Sequence, residues 1–474
     1  MPMNCSLDDR QRELQARARR FAVDVLREAR TVENLPTPEE RFAATKPAYE
    51  RMIADGYLRL CIPESVGGDG RSLVDTALVY EELYTENASV ALTLLSTMLG
   101  LQPLLVGGSA DQQKQMLAPF LETSGAPLAG FCSSEPGGSA NAAAPPPGEG
   151  VRTRAVRRDG TWVINGRKKW VSSATGWNRD GADLLCVVCR TDPDAAPDKG
   201  ISILAVEKPY EGVVFERAIT SPGYRAHLLP EFSFRDVTVP AENVLGEEGG
   251  GLPLSAASFV GAAALVGILG VALMRAAFEH SLHFARTERR GGIVPIIEHQ
   301  AVGYALVDAK IAIEATRSLA WRASAAIDAR HPAAAELANH SKIFGSETAV
   351  RVITDLMRVV GIDSYDDENN PLNGLLQDAL ALPIFAGGNM GVRRRGLHAM
   401  LANPGYDPLA ALDRSCSERS TVETRTGIVT GASSGIGLAL AQAYQSRHRR
   451  DPSLNLDVFS PCKEPNDWIQ KRRI

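Results

Sequence analysis

Residues 131–141 read FCSSEPGGSAN and residues 161–173 read TWVINGRKKWVSS. Both fall in a stretch, from about Phe131 to about Leu245, built of short β-rich runs: TWVING, ADLLCVVCR, ISILAVE, GVVFER and FSFRDVTVP. Clusters of Gly, Pro and Asp separate them. Short apolar and β-branched runs punctuated in this way predict an antiparallel sheet domain. Asn165-Gly166, between WVI and RKKW, predicts a hairpin turn there, because both residues accept positive φ.

On either side the texture is helical. In DDRQRELQARARRFAVDVLREAR, Leu14, Ala18, Phe21 and Val25 fall on one face. After the breaker PESVGGDGRS the helical pattern resumes in TALVYEELYTENASVALTLLSTMLG. Beyond the β-rich stretch, Val302, Leu306, Ala309, Ile313, Thr316 and Ala320 step by four and three, as in a helix packed in a bundle. The expected organisation is an N-terminal helical domain (1–128), a middle β domain (129–246), a C-terminal helical bundle (247–408), a polar linker (409–424) and a short last segment (425–474).

Composition narrows the function. A formal net charge of −5 over 474 residues argues against a nucleic-acid surface. Seven scattered cysteines read as reduced thiols of a cytoplasmic protein, not as a disulfide framework. Cys186 and Cys189 have CxxC spacing, but in a strand residues three apart point to opposite faces, so neither a metal nor a redox site is expected. Residues 249–274 carry no charge and are long enough to span a bilayer. Their Ala, Gly and Ser content and Pro253 favour the central helix of a bundle instead. No membrane role is expected, and no secretory leader is visible.

The motifs are more specific than the texture. FCSSEPGGSAN is similar to the aromatic-x-x-Ser/Thr-Glu-Pro-Gly loop of the acyl-CoA dehydrogenase family, and NGRKKWVSS (165–173) to that family's NGxKxW followed by a hydroxyl residue. EHQ (298–300) and FAGGNMGVRRR (385–395) resemble its C-terminal flavin motifs, and GADLLCVVCR, IIEHQAV and GGNMGVRRR are most similar to the nitroalkane oxidase branch. The resemblance runs from about residue 6 to about residue 408. It implies an α+β fold with an N-terminal helical domain, a middle antiparallel β domain and a C-terminal four-helix bundle. It also implies an FAD-dependent oxidoreductase, assembled as a homotetramer, acting on a small-molecule substrate. By the same resemblance Trp170 packs on the flavin ring, Ser172 bonds its reactive nitrogen, and Phe131, Ser133 and Ser134 lie at the ring's edge. Arg290 reaches the pyrophosphate of a neighbouring subunit's cofactor, and His299, Gln300, Arg358, Gly387 and Gly388 match other flavin-contacting positions.

The resemblance fails at one place. Family members remove a carbon-bound proton with a Glu or, in nitroalkane oxidases, an Asp in this loop. The matching residue here is Ala386, which cannot act as a base. The alternative base position on the central helix matches Gly261. Ala262 stands where nitroalkane oxidases have a Ser and some acyl-CoA dehydrogenases an Arg. Arg393, seven residues after Ala386, is kept and is expected to hold an anionic substrate group. Asp378 is the nearest preceding carboxylate and a poor substitute. An oxidoreductase with altered chemistry, a degenerate FAD-binding protein, and an acyl-CoA dehydrogenase with an unrecognised base all stay open.

Residues 427–437, GIVTGASSGIG, resemble the start of a short-chain dehydrogenase, with Gly431, Gly435 and Gly437 in that family's phosphate-binding spacing. The remaining chain has room for one strand, one helix and one more strand. A working nicotinamide site is therefore not expected.

Overall fold

The structure, a computed structural model, describes residues 7–145 and 147–411 and, beyond them, the backbone of three short strands. Eight helices matter below: α1 (Asp9–Phe21), α2 (Leu73–Glu86), α3 (Ala88–Gly107), α4 (Gly251–Ser258), α5 (Val260–Thr287), α6 (Gln300–Asp328), α7 (Ala334–Val360) and α8 (Leu372–Ala381). The first three start on side-chain caps that satisfy free backbone N–H groups: Asp8, with Gln11 in a reciprocal capping box, Ser72 and Asn87.

Between the helical regions lies an eight-stranded sheet: β1 (Ala129–Cys132), β2 (Arg154–Arg158), β3 (Thr161–Lys169), β4 (Leu184–Arg190), β5 (Ile201–Glu207), β6 (Val213–Ala218), β7 (Pro230–Pro240) and β8 (Val244–Leu245). The order is β6-β7-β3-β2-β4-β5-β8, with β1 also on β4. The expectation of a purely antiparallel sheet needs correcting, because β1 and β2 both run parallel to β4. Every residue of β4 is buried, which accounts for its unbroken apolar run. Cys186 and Cys189 lie inside that strand as buried thiols, and burial pushes each up to about 12. They are core residues, inert as nucleophiles.

Asn165-Gly166 is not a hairpin turn. β3 runs straight through it, with a register shift against β7 between Ile164 and Gly166. The Asn165 amide exchanges hydrogen bonds with Asp236, and a Cβ at Gly166 would stand 2.6 Å from the Thr153 backbone. The glycine serves a close strand approach at a bulge. The hairpin between β2 and β3 turns at Asp159-Gly160, both at positive φ.

In the C-terminal region α5 is buried among α2, α6, α7 and α8. Helices α5 and α7 cross closely at Gly267, Gly270 and Gly345. A Cβ at Gly267 would lie 2.2 Å from Ser341 Oγ, and one at Gly345 would lie 2.7 Å from the Gly267 Cα. This packing explains the uncharged run from 249 to 274. Leu306, Ala309, Ile313, Thr316 and Ala320 are buried on the face of α6 that their spacing defined.

Residues 412–474 form a separate unit. Within it β9 (Arg425–Val429) and β10 (Leu454–Val458) pair in parallel, and β11 (Arg472–Arg473) pairs antiparallel with β10. The parallel pair suits a strand–crossover–strand beginning. Residues 412–424 of the linker and Gly431, Gly435 and Gly437 lie outside the described residues. The family resemblance ends near residue 408, so a chain ending at Ala411 is expected to melt and bind cofactor as the full chain does. Precipitation of the truncated form alone would overturn this.

Candidate active site

One buried ion pair anchors the sheet side of the site. Glu135, from the SSEPGG loop, accepts hydrogen bonds from Arg152 N (2.8 Å), Thr153 N (3.0 Å), Thr153 Oγ1 (2.7 Å) and Lys168 Nζ (2.9 Å). Lys168 also donates to Val188 O at 2.8 Å and is fully buried. Burial alone would raise the Glu135 carboxyl. The Lys168 charge and the Thr153 donors outweigh it and hold the group below its usual range. Glu135 and Lys168, one from each β-domain motif, are thus each other's partners, and they fix the SSEPGG loop against β3.

Just beyond Lys168 the chain leaves β3 through Trp170 and Ser173, both at positive φ. This turn is laced to the strand entering β7 by Trp170 N to Pro230 O (3.1 Å) and Ser173 N to Leu228 O (3.0 Å). It leaves the Trp170 side of the turn outward, with 49% of that residue exposed. Ser172 Oγ lies 2.9 Å from His227 Nε2, and Thr93 Oγ1 on α3 lies 2.9 Å from His227 Nδ1. The Ser133 and Ser134 side chains are half-buried at the exit of β1 and make no hydrogen bond within the described chain.

The helical side closes on the same place. The Phe131 ring packs on Phe259, between α4 and α5, at 5.1 Å between centroids, and the Arg393 guanidinium lies 5.9 Å from the Phe259 ring centre. Arg393 Nη2 donates to Ala386 O at 2.7 Å, Nε to Ala386 O and Gly387 O, and Nη1 to Asn339 Oδ1 at 3.1 Å. No carboxylate pairs with it among the described residues, and burial lowers it to about 10. Ala386 has φ +49, a left-handed conformation that alanine disfavours. The loop is held from behind by Lys342 on α7, fully buried, which donates to Leu382 O (3.0 Å) and Asn389 Oδ1 (2.6 Å). Burial first, then the Arg393 charge, lowers Lys342 to about 7. Arg395 reaches back to Ala140 O and Asn141 Oδ1, tying this loop to the SSEPGG loop. Phe385 faces Tyr224 (6.2 Å between rings), whose backbone N–H donates to Asp378 at 2.5 Å. Asp378, raised to about 7 by burial, thus holds the Tyr224 turn.

Phe131, Ser133, Ser134, Trp170, Ser172, Gly387, Gly388 and Arg393 therefore line one neighbourhood. Arg290, His299, Gln300 and Arg358 lie at the other end of the bundle. Arg290 donates to Val360 O (2.9 Å) and pairs with Asp363 (2.7 Å); Arg358 pairs with Asp355 beside a cavity of about 350 Å³ between α6 and α7. No hydrogen bond or ring contact among the described residues joins the two groups. Sequence reasoning missed His227, Phe259 and Lys342. Only Lys342 left a signal, a lysine on the apolar face of α7 beside Ala338 and Gly345.

Comparison with known proteins settles the family. The N-terminal, middle and C-terminal acyl-CoA dehydrogenase domains match residues 8–124, 130–237 and 249–400. The chain belongs to the acyl-CoA dehydrogenase family. As a member it is a flavin-dependent oxidoreductase with FAD as cofactor. Nitroalkane oxidase from Podospora anserina is 39% identical over 427 residues, covering 86% of this chain and 98% of that one. A solved structure of the Podospora protein is 37% identical, with a TM-score of 0.83 over 86% of this chain and 99% of that one. Another nitroalkane oxidase structure, at 34% identity, the same TM-score and the same coverage, concerns the roles of an aspartate and an arginine in that flavoprotein's reaction, seven residues apart in its chain.

The residues present fit a flavin. A half-exposed indole, hydroxyls at the β1 exit and a half-buried arginine that find no partner or counter-charge among the described residues are what a flat ring with polar edges and an anionic substrate would complete.

Proposed function

We propose that this protein is an FAD-dependent oxidoreductase of the nitroalkane oxidase type in which Ala386 replaces the catalytic aspartate, and that its substrate is a small molecule already carrying negative charge. Ala386 and Arg393 have the seven-residue spacing of the aspartate and arginine in the related enzyme. The observation that carries the reading is Arg393. Of its five N–H groups, the described residues take one on each nitrogen, leaving two free on a half-buried cation that has no counter-charge among those residues. A nitronate-like anion fits this need, and no base is required to make it.

Bound FAD supplies a two-electron acceptor. Trp170 walls its ring, the Ser172 hydroxyl meets its reactive nitrogen, Ser133 and Ser134 bond its edge, and the Gly387-Gly388 backbone approaches it closely. Phe131, Phe259 and Phe385 keep water from the substrate. Arg290, His299, Gln300 and Arg358 serve the rest of the cofactor, with Arg290 acting on a neighbouring subunit in a homotetramer. Arg290→Ala is expected to weaken FAD binding by about 10–100-fold, the loss of a charged hydrogen bond, in a fluorescence titration of the apoprotein. Sedimentation of the yellow wild type should show a tetramer. Unchanged affinity, or tight FAD binding by a monomer, would contradict this.

A second reading, a degenerate flavoprotein that binds FAD without turnover, draws on the same vacancy at Ala386 and on Ala262. Flavin reduction by a preformed nitronate separates the two.

A further inference from the structure

We infer that His227 is a positioning residue that takes the only proton of the Ser172 hydroxyl, so that the lone pairs of that oxygen face the reactive nitrogen of the flavin. The inference rests on the placement of Ser172 proposed above.

His227 is 2% exposed and lies between two elements it does not belong to: α3, through Thr93, and the turn after β3, through Ser172. Its own segment is fixed by His227 N to Tyr224 O (2.9 Å) and by the backbone bonds from Trp170 and Ser173. Among the described residues no carboxylate bonds the ring, and burial lowers it to about 3, so it stays neutral at working pH.

A neutral imidazole has one N–H and one bare nitrogen, and each hydroxyl has one proton. Thr93 has a recipient for its proton in Ser89 O, one helical turn back at 3.2 Å. Its oxygen is then free to accept from His227 Nδ1–H at 2.9 Å. Nε2 is consequently bare and accepts from Ser172 Oγ, also at 2.9 Å. The opposite arrangement requires Thr93 to leave Ser89 O and Ser172 to turn its proton outward.

The consequence lies in redox balance. An oxidised flavin presents a bare nitrogen at this edge and a reduced one an N–H. An oxygen whose proton is held by His227 complements the N–H and opposes the bare nitrogen. The Thr93–His227–Ser172 chain therefore favours the reduced cofactor and raises its potential.

The test is the two-electron midpoint potential of FAD in the full-length holoenzyme, with His227→Leu, Ser172→Ala, the double variant and Thr93→Val. His227→Leu frees the Ser172 proton. It is expected to lower the reduced-to-oxidised ratio at fixed potential about tenfold, equivalent to ~30 mV. The double variant should match Ser172→Ala alone, because both act through one hydroxyl. Thr93→Val, nearly isosteric, should shift the potential the same way by less, and it carries the test if the leucine variant does not fold. Nitrogen NMR of the imidazole should show Nδ1 protonated and Nε2 bare. Potentials unchanged in the leucine and valine variants, additive shifts in the double variant, or a proton on Nε2 would overturn the inference. A wild-type protein that stays colourless with added FAD would overturn the Ser172 placement instead, while the nitrogen spectrum still reports the tautomer.

Discussion

Ala386→Asp together with Ala262→Ser is expected to raise the rate of flavin reduction by neutral nitroethane by about two to four orders of magnitude, the usual worth of a positioned base. Reduction by preformed nitronate should stay the same or slow, since the new carboxylate repels it. The local structure favours the change. Ala386 sits at φ +49, a conformation that aspartate tolerates better than alanine. The Arg393 guanidinium, 2.7 Å from Ala386 O, would hold the new carboxylate ionised against the effect of burial. Residue 262 is buried at the start of α5, one turn after Phe259, and so beside the Phe131–Arg393 contact. Stopped-flow measurement with both substrate forms reads the effect. Equal slowness of the variant and wild type with nitroethane would mean that residue 386 is not placed to reach the substrate carbon.

Lys168→Met should be the most damaging single change remote from the substrate. It leaves the Glu135 charge buried, with Thr153 and the Arg152 backbone as its remaining donors among the described residues. Removing one partner of such a pair costs roughly 3–5 kcal/mol, a large part of a stability that is typically about 5–15 kcal/mol. Trp170 and Ser172 follow Lys168 directly, so FAD should be lost as well. Denaturant unfolding and cofactor retention measure both effects. Replacing Glu135 by Leu in the same chain should recover much of the stability, since it removes the stranded charge. A Lys168→Met protein as stable and as yellow as wild type would contradict the role given to this pair.

The helical–β–helical order was legible because it is carried by period and punctuation. The α6 stripe from Leu306 to Ala320 and the continuous apolar run of β4 are direct imprints of burial. Asn165-Gly166 misled because two different geometries favour the same dipeptide. A turn needs its φ freedom, whereas here the close approach to Thr153 needs its lack of a side chain. The parallel pairing of β1 and β2 with β4 was not legible, since strand direction follows from long-range connections. In the site, the residues that the structure brings together around Phe131, Trp170 and Arg393 come from contiguous motifs. His227 and Phe259 act from elements distant in sequence and carry no local signature of that contact, and Lys342 left only the trace of a lysine on an apolar helix face. The same motifs also carry a structural role that their sequence did not announce: the structure shows Glu135 and Lys168 bonded to each other.

The central claim is a flavin site with a half-buried arginine and no base at residue 386. Anaerobic mixing of the wild-type holoenzyme with neutral nitroethane and, separately, with its nitronate tests it most directly. Rapid bleaching of the flavin by the nitronate, with neutral nitroethane slower by about two orders of magnitude or more, is the predicted result. Equal rates with the two forms would show that another residue removes the proton, and the vacancy assigned to Ala386 would be wrong.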